Sequence, residues 1–309
     1  MKYAFTNGKI LDGSRDMQVQ TGRCILVKNG KIHDIVSDTT DLSGYTKIDL
    51  KGHYILPGLI NMHVHLAGSE KPQKKQRDNE KLVNTIMSTS LTRAIAYRMV
   101  TDFAKDELLS GVTTIRTVGG LGDFDTRLRD EIKAGTKIGP RILASNQGIS
   151  VPGELKMPPE MVRAVCEKAH ADGYLVAAHV ESPEGVRVAL ENGVDSIEHG
   201  AKLTDEMVKL FKERGAFLCT TISPALPYAL FDRSITNATK RSAELTDIDS
   251  ITGSIEKGKA ADLIVTAQNP LKDLKTLRNL EMVISGGRFI EHPKIKKRKQ
   301  VEAELDKFL

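Results

Sequence analysis

The middle of the chain alternates short apolar runs with helical patterns. The runs are bounded by glycine or proline and predict strands at residues 54–66, 112–118, 141–145, 175–180, 196–198 and 216–221. The helical pattern is clearest at residues 158–171, where two prolines open the segment, apolar residues recur at helical spacing and Gly173 follows. Strands that alternate with helices favour an α/β architecture with parallel pairing.

Both ends of the chain carry hairpin signals instead. Asn-Gly at residues 7–8 and 29–30, and Gly-Gly at residues 286–287, each separate two short apolar runs. Such dipeptides favour the positive φ angles of a two-residue hairpin turn. We expect one small β domain built from both chain ends, and two unrelated edge hairpins are the alternative. Residues 294–309 are charged and amphipathic, which predicts a solvated helix.

Composition excludes several classes of protein. The 309 residues are 40% hydrophobic and 28% charged, enough for about two domains with buried cores. The formal net charge of +5 is spread along the chain, so we expect no nucleic-acid partner. Cys24, Cys166 and Cys219 are too scattered for a disulfide framework and predict buried, reduced thiols. No apolar run is long enough for a membrane span and the first residues lack an apolar leader, so we expect a soluble cytoplasmic protein.

Four of the eight histidines lie at the ends of predicted strands. His63 and His65 share one face of their strand because residues i and i+2 point the same way. His179 and His199 stand at the ends of two later runs, and in a parallel barrel all such strand ends open on one face. Imidazoles that meet there are good ligands for a divalent metal. A hydrogen-bonded structural histidine is the alternative at each position. The remaining histidines are interpreted as surface or turn residues: His33, His53, His170 and His292.

Five segments together resemble the metal-dependent amidohydrolase superfamily: LPGLINMHVHL, GVTTIRTVGG, LVAAHV, DSIEHGAKL and TGSIEKGKAADLIV. The resemblance covers nearly the whole chain and points to the branch of imidazolonepropionase-like enzymes, Xaa-Pro dipeptidases and zinc carboxypeptidases. It implies a TIM-type (β/α)8 barrel plus a small β-sandwich formed by both chain ends. The corresponding domains are a composite sandwich at residues 1–55 and 251–295, a metal-binding barrel at residues 56–250, and a charged tail at residues 296–309.

The resemblance also implies a metal site with one or two divalent ions, of which Zn²⁺ is the expected one. His63 and His65 would bind the first ion, and His179 and His199 would bind the second or orient the substrate. The implied activity is hydrolysis of an amide or peptide bond by a metal-activated water.

Two groups of the family are not found in this sequence. They are the lysine of the fourth strand, which bridges the two metals, and the aspartate of the eighth strand, which transfers the proton. Residues 141–175 already hold one helix, whereas a strand–helix–strand unit needs about 30 residues, so no fourth strand fits. Lys156 precedes that helix, and Asp232 lacks the strand context of the aspartate. Six strands are predicted where the barrel needs eight, so the barrel is expected to be incomplete.

Three explanations are open for the missing strands. The first is that internal segments of the chain are absent from this sequence. The second is that the protein is a true shortened form, and the third is that another chain supplies the strands. We favour the first, with junctions near residues 151–153 and 234–236. If the full chain lacks both groups, a metal-binding relative that does not turn over becomes the better interpretation.

The substrate is expected to be a small molecule. Tyr228 and Arg233 follow the seventh strand, where an arginine would pair with the carboxylate of a dipeptide or N-acyl amino acid. A packed tyrosine and a solvated arginine are the alternative. A cyclic amide of the imidazolone type is the other candidate substrate. The amphipathic stretch at residues 78–109 is expected either to cover the barrel mouth or to form a contact between copies in a homo-oligomer.

Overall fold

A computed structural model describes residues 1–66, 79–149, 157–220 and 234–295. The chain forms two compact units, and each is described by itself. The first unit comprises Met1–Asn146 and Pro227–Leu309, and the second comprises Gln147–Leu226. The domain boundaries expected from the sequence follow a different division and stay a prediction. None of the helices in the described segments is long and apolar enough to cross a membrane.

Two antiparallel-rich sheets of the first unit combine strands from both chain ends. One has the strand order β4-β3-β1-β5 and the other β15-β14-β13-β6-β2. Their strands are β1 (Lys2–Thr6), β2 (Lys9–Ile10), β3 (Arg23–Lys28), β4 (Lys31–Ser37), β5 (Thr46–Asp49), β6 (Tyr54–Pro57), β13 (Leu263–Thr266), β14 (Leu280–Ser285) and β15 (Arg288–Glu291). Side chains of both sheets, among them Phe5, Ile25, Ile55 and Leu263, pack in one buried cluster. That shared core holds the two ends of the chain together.

Two of the three hairpins expected at the chain ends are confirmed. Asn29 and Gly30 have φ angles of 52° and 75° between the antiparallel strands β3 and β4. The two glycines at residues 286–287 turn in the same way between β14 and β15. The hairpin expected at residues 7–8 is wrong, because β1 pairs with β3 and β5 while β2 pairs with β6 in the other sheet. Gly8 serves close packing there, since a Cβ atom on it would lie 2.4 Å from Cδ1 of Leu50.

The first unit also contains a parallel sheet with the order β7-β8-β9. Its elements are β7 (Leu59–Val64), α1 (Asn79–Met87), α2 (Ser90–Leu109), β8 (Val112–Thr117), α3 (Phe124–Lys133) and β9 (Arg141–Leu143). Residues 54–66, expected as one strand, divide into β6 and β7, which belong to different sheets. The break falls at Gly58, where a Cβ atom would lie 2.2 Å from the hydroxyl of Thr113.

A helical segment of the first unit begins at residue 234. It runs through α7 (Ser234–Thr236), a π-helical turn (Asn237–Arg241) and α8 (Ser242–Leu245), and a short 3₁₀ helix (Leu274–Arg278) lies between β13 and β14. The expected junction at residues 234–236 falls in the first turn of the helical segment, and the one at residues 151–153 lies outside the described residues.

The second unit is a three-stranded parallel sheet with the order β10-β11-β12 and helices between the strands. Its elements are α4 (Pro159–Ala171), β10 (Ala177–Val180), α5 (Pro183–Glu191), β11 (Ser196–His199), α6 (Asp205–Arg214) and β12 (Phe217–Cys219). Pro158 caps α4, as the proline pattern predicted. The hydroxyls of Ser182 and Thr204 accept backbone amides at the starts of α5 and α6. Buried side chains of the helices and of Ile197 form one core.

The strands of the middle region therefore pair in parallel and alternate with helices, as expected. Within the described ranges they make two three-stranded sheets and no closed barrel, and no strand separates β9 from β10 in residues 144–149 and 157–176. Lys156, Asp232 and the tail at residues 296–309 lie outside those ranges. The incomplete barrel and the sandwich stay predictions.

Candidate functional site

His63 and His65 lie at the carboxyl end of β7 in the first unit. Met62 and Val64 are buried on one face of the strand, while His63 is half-buried and His65 is exposed on the other. The two imidazole rings meet edge to face with their centroids 5.0 Å apart. The alternation expected from the sequence is thus confirmed, and it places two potential nitrogen ligands side by side.

The backbone of the loop after β8 orients the imidazole of His65. Nδ1 of His65 lies 3.1 Å from the carbonyl oxygen of Gly119. Because a carbonyl only accepts, this hydrogen bond requires that Nδ1 carries the proton, which leaves the lone pair of the neutral ring on Nε2. A ring nitrogen that donates to a backbone carbonyl is the usual support of a histidine metal ligand.

A buried carboxyl lies near this loop. Asp125, in the first turn of α3, is 1% exposed. Burial raises the pKa of the Asp125 carboxyl, while hydrogen bonds from the Thr117 hydroxyl and the Asn146 backbone amide, and the charge of His65, oppose that rise. The sequence analysis did not identify Asp125, because a lone Asp at the start of a helix usually indicates an exposed first-turn residue.

His179 and His199 form the corresponding pair in the second unit. His179 stands on β10 beside Glu198 of β11 in the parallel register, and His199 is the last residue of β11. His199 has a φ angle of 70°, in the left-handed region that side chains other than glycine seldom adopt. Simple alternation would turn its ring away from that of His179, but Nδ1 of His179 lies 2.8 Å from Nε2 of His199. Backbone strain of this kind is typical of functional sites.

The chemistry of this pair suits a divalent cation. The 2.8 Å contact requires that one ring nitrogen of His179 or His199 donates a proton and the other accepts it. The two nitrogens hold one proton between them, and if the donor ring shifted that proton to its other nitrogen, both rings would offer neutral imidazole lone pairs to a metal. Imidazole nitrogen is a preferred ligand of zinc and other transition metals.

Glu198 is a second buried carboxylate that the sequence analysis did not identify. It is 0% exposed and accepts a short hydrogen bond from the hydroxyl of Ser196. On β11 it lies in register between His179 and Cys219, on the face opposite the core residue Ile197. The alternation of Ser196, Ile197 and Glu198 indicates which side each residue faces, and this signal could have found Glu198.

The other residues considered in the sequence play different parts. Tyr228 and Arg233 lie outside the described residues, so their role in substrate binding stays a prediction. His33 and His292 are exposed, and His53 is half-buried in a turn. Nε2 of His170 donates to Oδ2 of Asp195 at 2.9 Å. The three cysteines are free, as expected; Cys24 and Cys166 are buried, whereas Cys219 is only half-buried, so the expectation of a buried thiol is wrong there. That the four strand-end histidines bind metal stays a prediction.

Comparison with known proteins finds similarity to one family over part of the chain. The sequence profile of the amidohydrolase family matches residues 54–152. An imidazolonepropionase of Klebsiella pneumoniae is 32% identical over 169 residues, which cover 49% of this chain and 39% of that relative. The chain therefore spans well under two thirds of the length of this curated relative.

Solved structures resemble the whole chain. A protein of Bifidobacterium longum assigned as a prolidase matches with a TM-score of 0.79 and 25% identity, covering 99% of this chain and 98% of that chain. A Xaa-Pro dipeptidase with methionine bound in its active site matches with a TM-score of 0.75 and 24% identity, covering 94% of this chain and 100% of that chain. These neighbours imply a TIM-barrel-type fold.

Proposed function

We propose that the chain is a member of the amidohydrolase superfamily and that it is a metal-dependent hydrolase that cleaves a C–N bond in a small amide or peptide. The observation that carries the proposal is the pair of imidazoles at the carboxyl end of β7, together with the second pair at the ends of β10 and β11. Both pairs stand where enzymes with parallel β/α folds place their chemistry.

The metal ligands in this proposal are the four strand-end histidines. His63 and His65 would hold one divalent ion, and His179 and His199 would hold a second or orient the substrate. Zn²⁺ is the ion that this donor set favours. When bound, the metal supplies Lewis-acid activation of a water and of the scissile carbonyl.

The chain's own residues would prepare that chemistry in two ways. The hydrogen bond to Gly119 keeps the lone pair of His65 on Nε2, so that this ring is in its ligand form before a metal arrives. The carboxylate of Glu198, in the same strand row as His179, is our candidate for moving a proton toward the leaving amine. It would take the part of the family aspartate that was not found in the sequence.

The substrate class follows from the neighbours and from two residues of the sequence. The structures assigned as a prolidase and a Xaa-Pro dipeptidase favour a dipeptide or an N-acyl amino acid. Arg233 would pair with the substrate carboxylate, and Tyr228 would contact the side chain. The imidazolonepropionase relative favours a second candidate, the hydrolysis of a cyclic amide.

Metal content tests the ligand assignment. We expect purified protein to carry one or two divalent ions per chain by elemental analysis. The double variant His63→Ala/His65→Ala should lose one ion, and His179→Ala/His199→Ala should lose the other where two are bound. His33→Ala is the matched control, because His33 is exposed on β4. Unchanged metal content in both double variants would refute the assignment.

Turnover tests the activity and the substrate class. Metal-loaded protein is assayed against dipeptides, N-acyl amino acids and cyclic amides, and the expected result is hydrolysis of a linear amide. Activity confined to cyclic amides would replace the substrate class. Metal binding without any turnover would support a relative that binds metal but does not catalyse.

A further inference from the structure

Asp125 has no role in the proposed chemistry, yet it is a fully enclosed carboxyl. The residue is 1% exposed, and its Oδ2 atom has no hydrogen-bond partner among the residues that the structure describes. Burying a carboxyl oxygen without a hydrogen bond costs free energy, so the enclosed position of Asp125 needs a physical reason. Its hydrogen-bonding neighbours are the Thr117 hydroxyl and the Asn146 backbone amide, at the carboxyl end of β8 and after β9.

Asp125 packs directly on the loop that follows β8. A Cβ atom added to Gly120 would lie 2.6 and 2.7 Å from the two carboxylate oxygens of Asp125, so the backbone of this loop runs against the carboxyl. The amide of Gly120 donates to the carbonyl of Asn146 at 2.7 Å. Asp125 and Asn146 together therefore hold the loop from two directions.

The preceding residue of the same loop, Gly119, contacts His65. A Cβ atom added to Gly119 would lie 3.3 Å from both Cε1 and Nδ1 of the His65 ring. The carbonyl of Gly119 is also the partner of Nδ1. The adjacent residues Gly119 and Gly120 therefore contact the imidazole and the buried carboxyl, respectively.

We propose that Asp125 is a positioning residue for His65: it fixes the Gly119–Gly120 backbone, and through the Gly119 carbonyl it holds the imidazole in the tautomer and direction of a metal ligand. Only the statement that His65 binds a metal rests on the proposed function. The effect of Asp125 on the tautomer of His65 is argued from the contacts alone.

The tautomer test needs no metal. The ¹⁵N shifts of the His65 ring are measured by NMR in metal-free protein labelled at histidine, with His65→Gln to assign the signals. Wild-type protein should show a proton on Nδ1 and none on Nε2. Asp125→Ala should shift His65 toward a mixture of both tautomers, while Asp125→Asn, which keeps an acceptor oxygen and the side-chain volume, should preserve the wild-type pattern.

The metal test is read from affinity. Asp125→Ala should weaken metal binding by about 10–100-fold, the range for residues that support a ligand, and Asp125→Asn should stay within a few-fold of wild type. Asp130→Ala is the matched control, because Asp130 is an exposed carboxylate on the same helix. Thermal melts identify any variant that fails to fold, and Thr117→Val then tests the same network without touching the carboxyl.

The outcomes separate the two proposals. Tautomer loss in Asp125→Ala with no metal bound by wild-type protein would support the positioning role and reject the metal site. An unchanged tautomer and unchanged metal affinity in Asp125→Ala would overturn the positioning role. Loss in Asp125→Asn equal to that in Asp125→Ala would also overturn it, because the effect would then belong to the charge.

Discussion

Gly120→Ala is the substitution whose effect the structure specifies most closely. The added Cβ atom would lie 2.9 Å from Cγ of Asp125 and closer still to both oxygens. Two carbon atoms in ordinary contact stand at about 3.5–4.0 Å, so the carboxyl must retreat by about 0.6 Å or more. Asp125 is enclosed and cannot swing into solvent. Overpacking of this kind costs about 1–3 kcal/mol, and each kcal/mol lowers the melting midpoint by roughly 2–4 °C.

The matched control is Gly148→Ala. Neither Gly120 nor Gly148 has a φ angle in the left-handed region, and a Cβ atom on Gly148 would meet no atom of the described residues within 4 Å. Gly148→Ala should therefore melt within a degree or two of wild type. The contact with the carboxyl is isolated by repeating Gly120→Ala in an Asp125→Ala background, where at least half of the loss should disappear. Equal midpoints for the two glycine variants, or a loss that persists without the carboxyl, would refute the steric reasoning.

Three further predictions follow from single contacts. His199→Gly should be about 1 kcal/mol more stable than His199→Ala in thermal melts, because glycine adopts a φ of 70° without strain, and both should lose the same metal; equal stability would mean that the backbone relaxes. Tyr97→Phe keeps the aromatic ring but removes the 2.8 Å hydrogen bond from the Tyr97 hydroxyl to Glu131. This should lower the free energy of unfolding in urea by about 1–2 kcal/mol. Glu256 accepts the Ser254 hydroxyl, which lowers the pKa of its carboxyl in the folded state. The advantage of wild type over Glu256→Gln should therefore be present at neutral pH and vanish as the pH falls through that lowered value; an advantage that persists in acid would contradict the sign.

The local patterns of the sequence predicted a good part of this structure. The pairing of His63 and His65 on one face depends only on the two-residue period of a strand, with Met62 and Val64 turned inward. The turn at residues 29–30 depends only on the tolerance of Asn-Gly for positive φ. Each of these features depends only on residues close together in the chain, so the local sequence pattern is enough to predict it.

Other features depended on partners distant in sequence. The dipeptide at residues 7–8 carries the same hairpin signal as the one at residues 29–30, but it connects two different sheets because its flanking strands found other partners. The break at Gly58 depends on Thr113, which approaches from β8. The local sequence around residues 7–8 or around Gly58 does not indicate which strand will pair with it.

The candidate site also has some features that the local sequence predicts and others that depend on residues distant in the chain. The sequence by itself determined which residue types stand at the ends of the strands, because chain order and strand period suffice to place His63, His65, His179 and His199 there. Only the tertiary structure decided that His199 turns its ring back toward His179 and that Asp125 is enclosed behind Gly120. A backbone angle and the burial of a carboxyl are set by the surrounding elements rather than by adjacent residues, so they arise only when those elements pack.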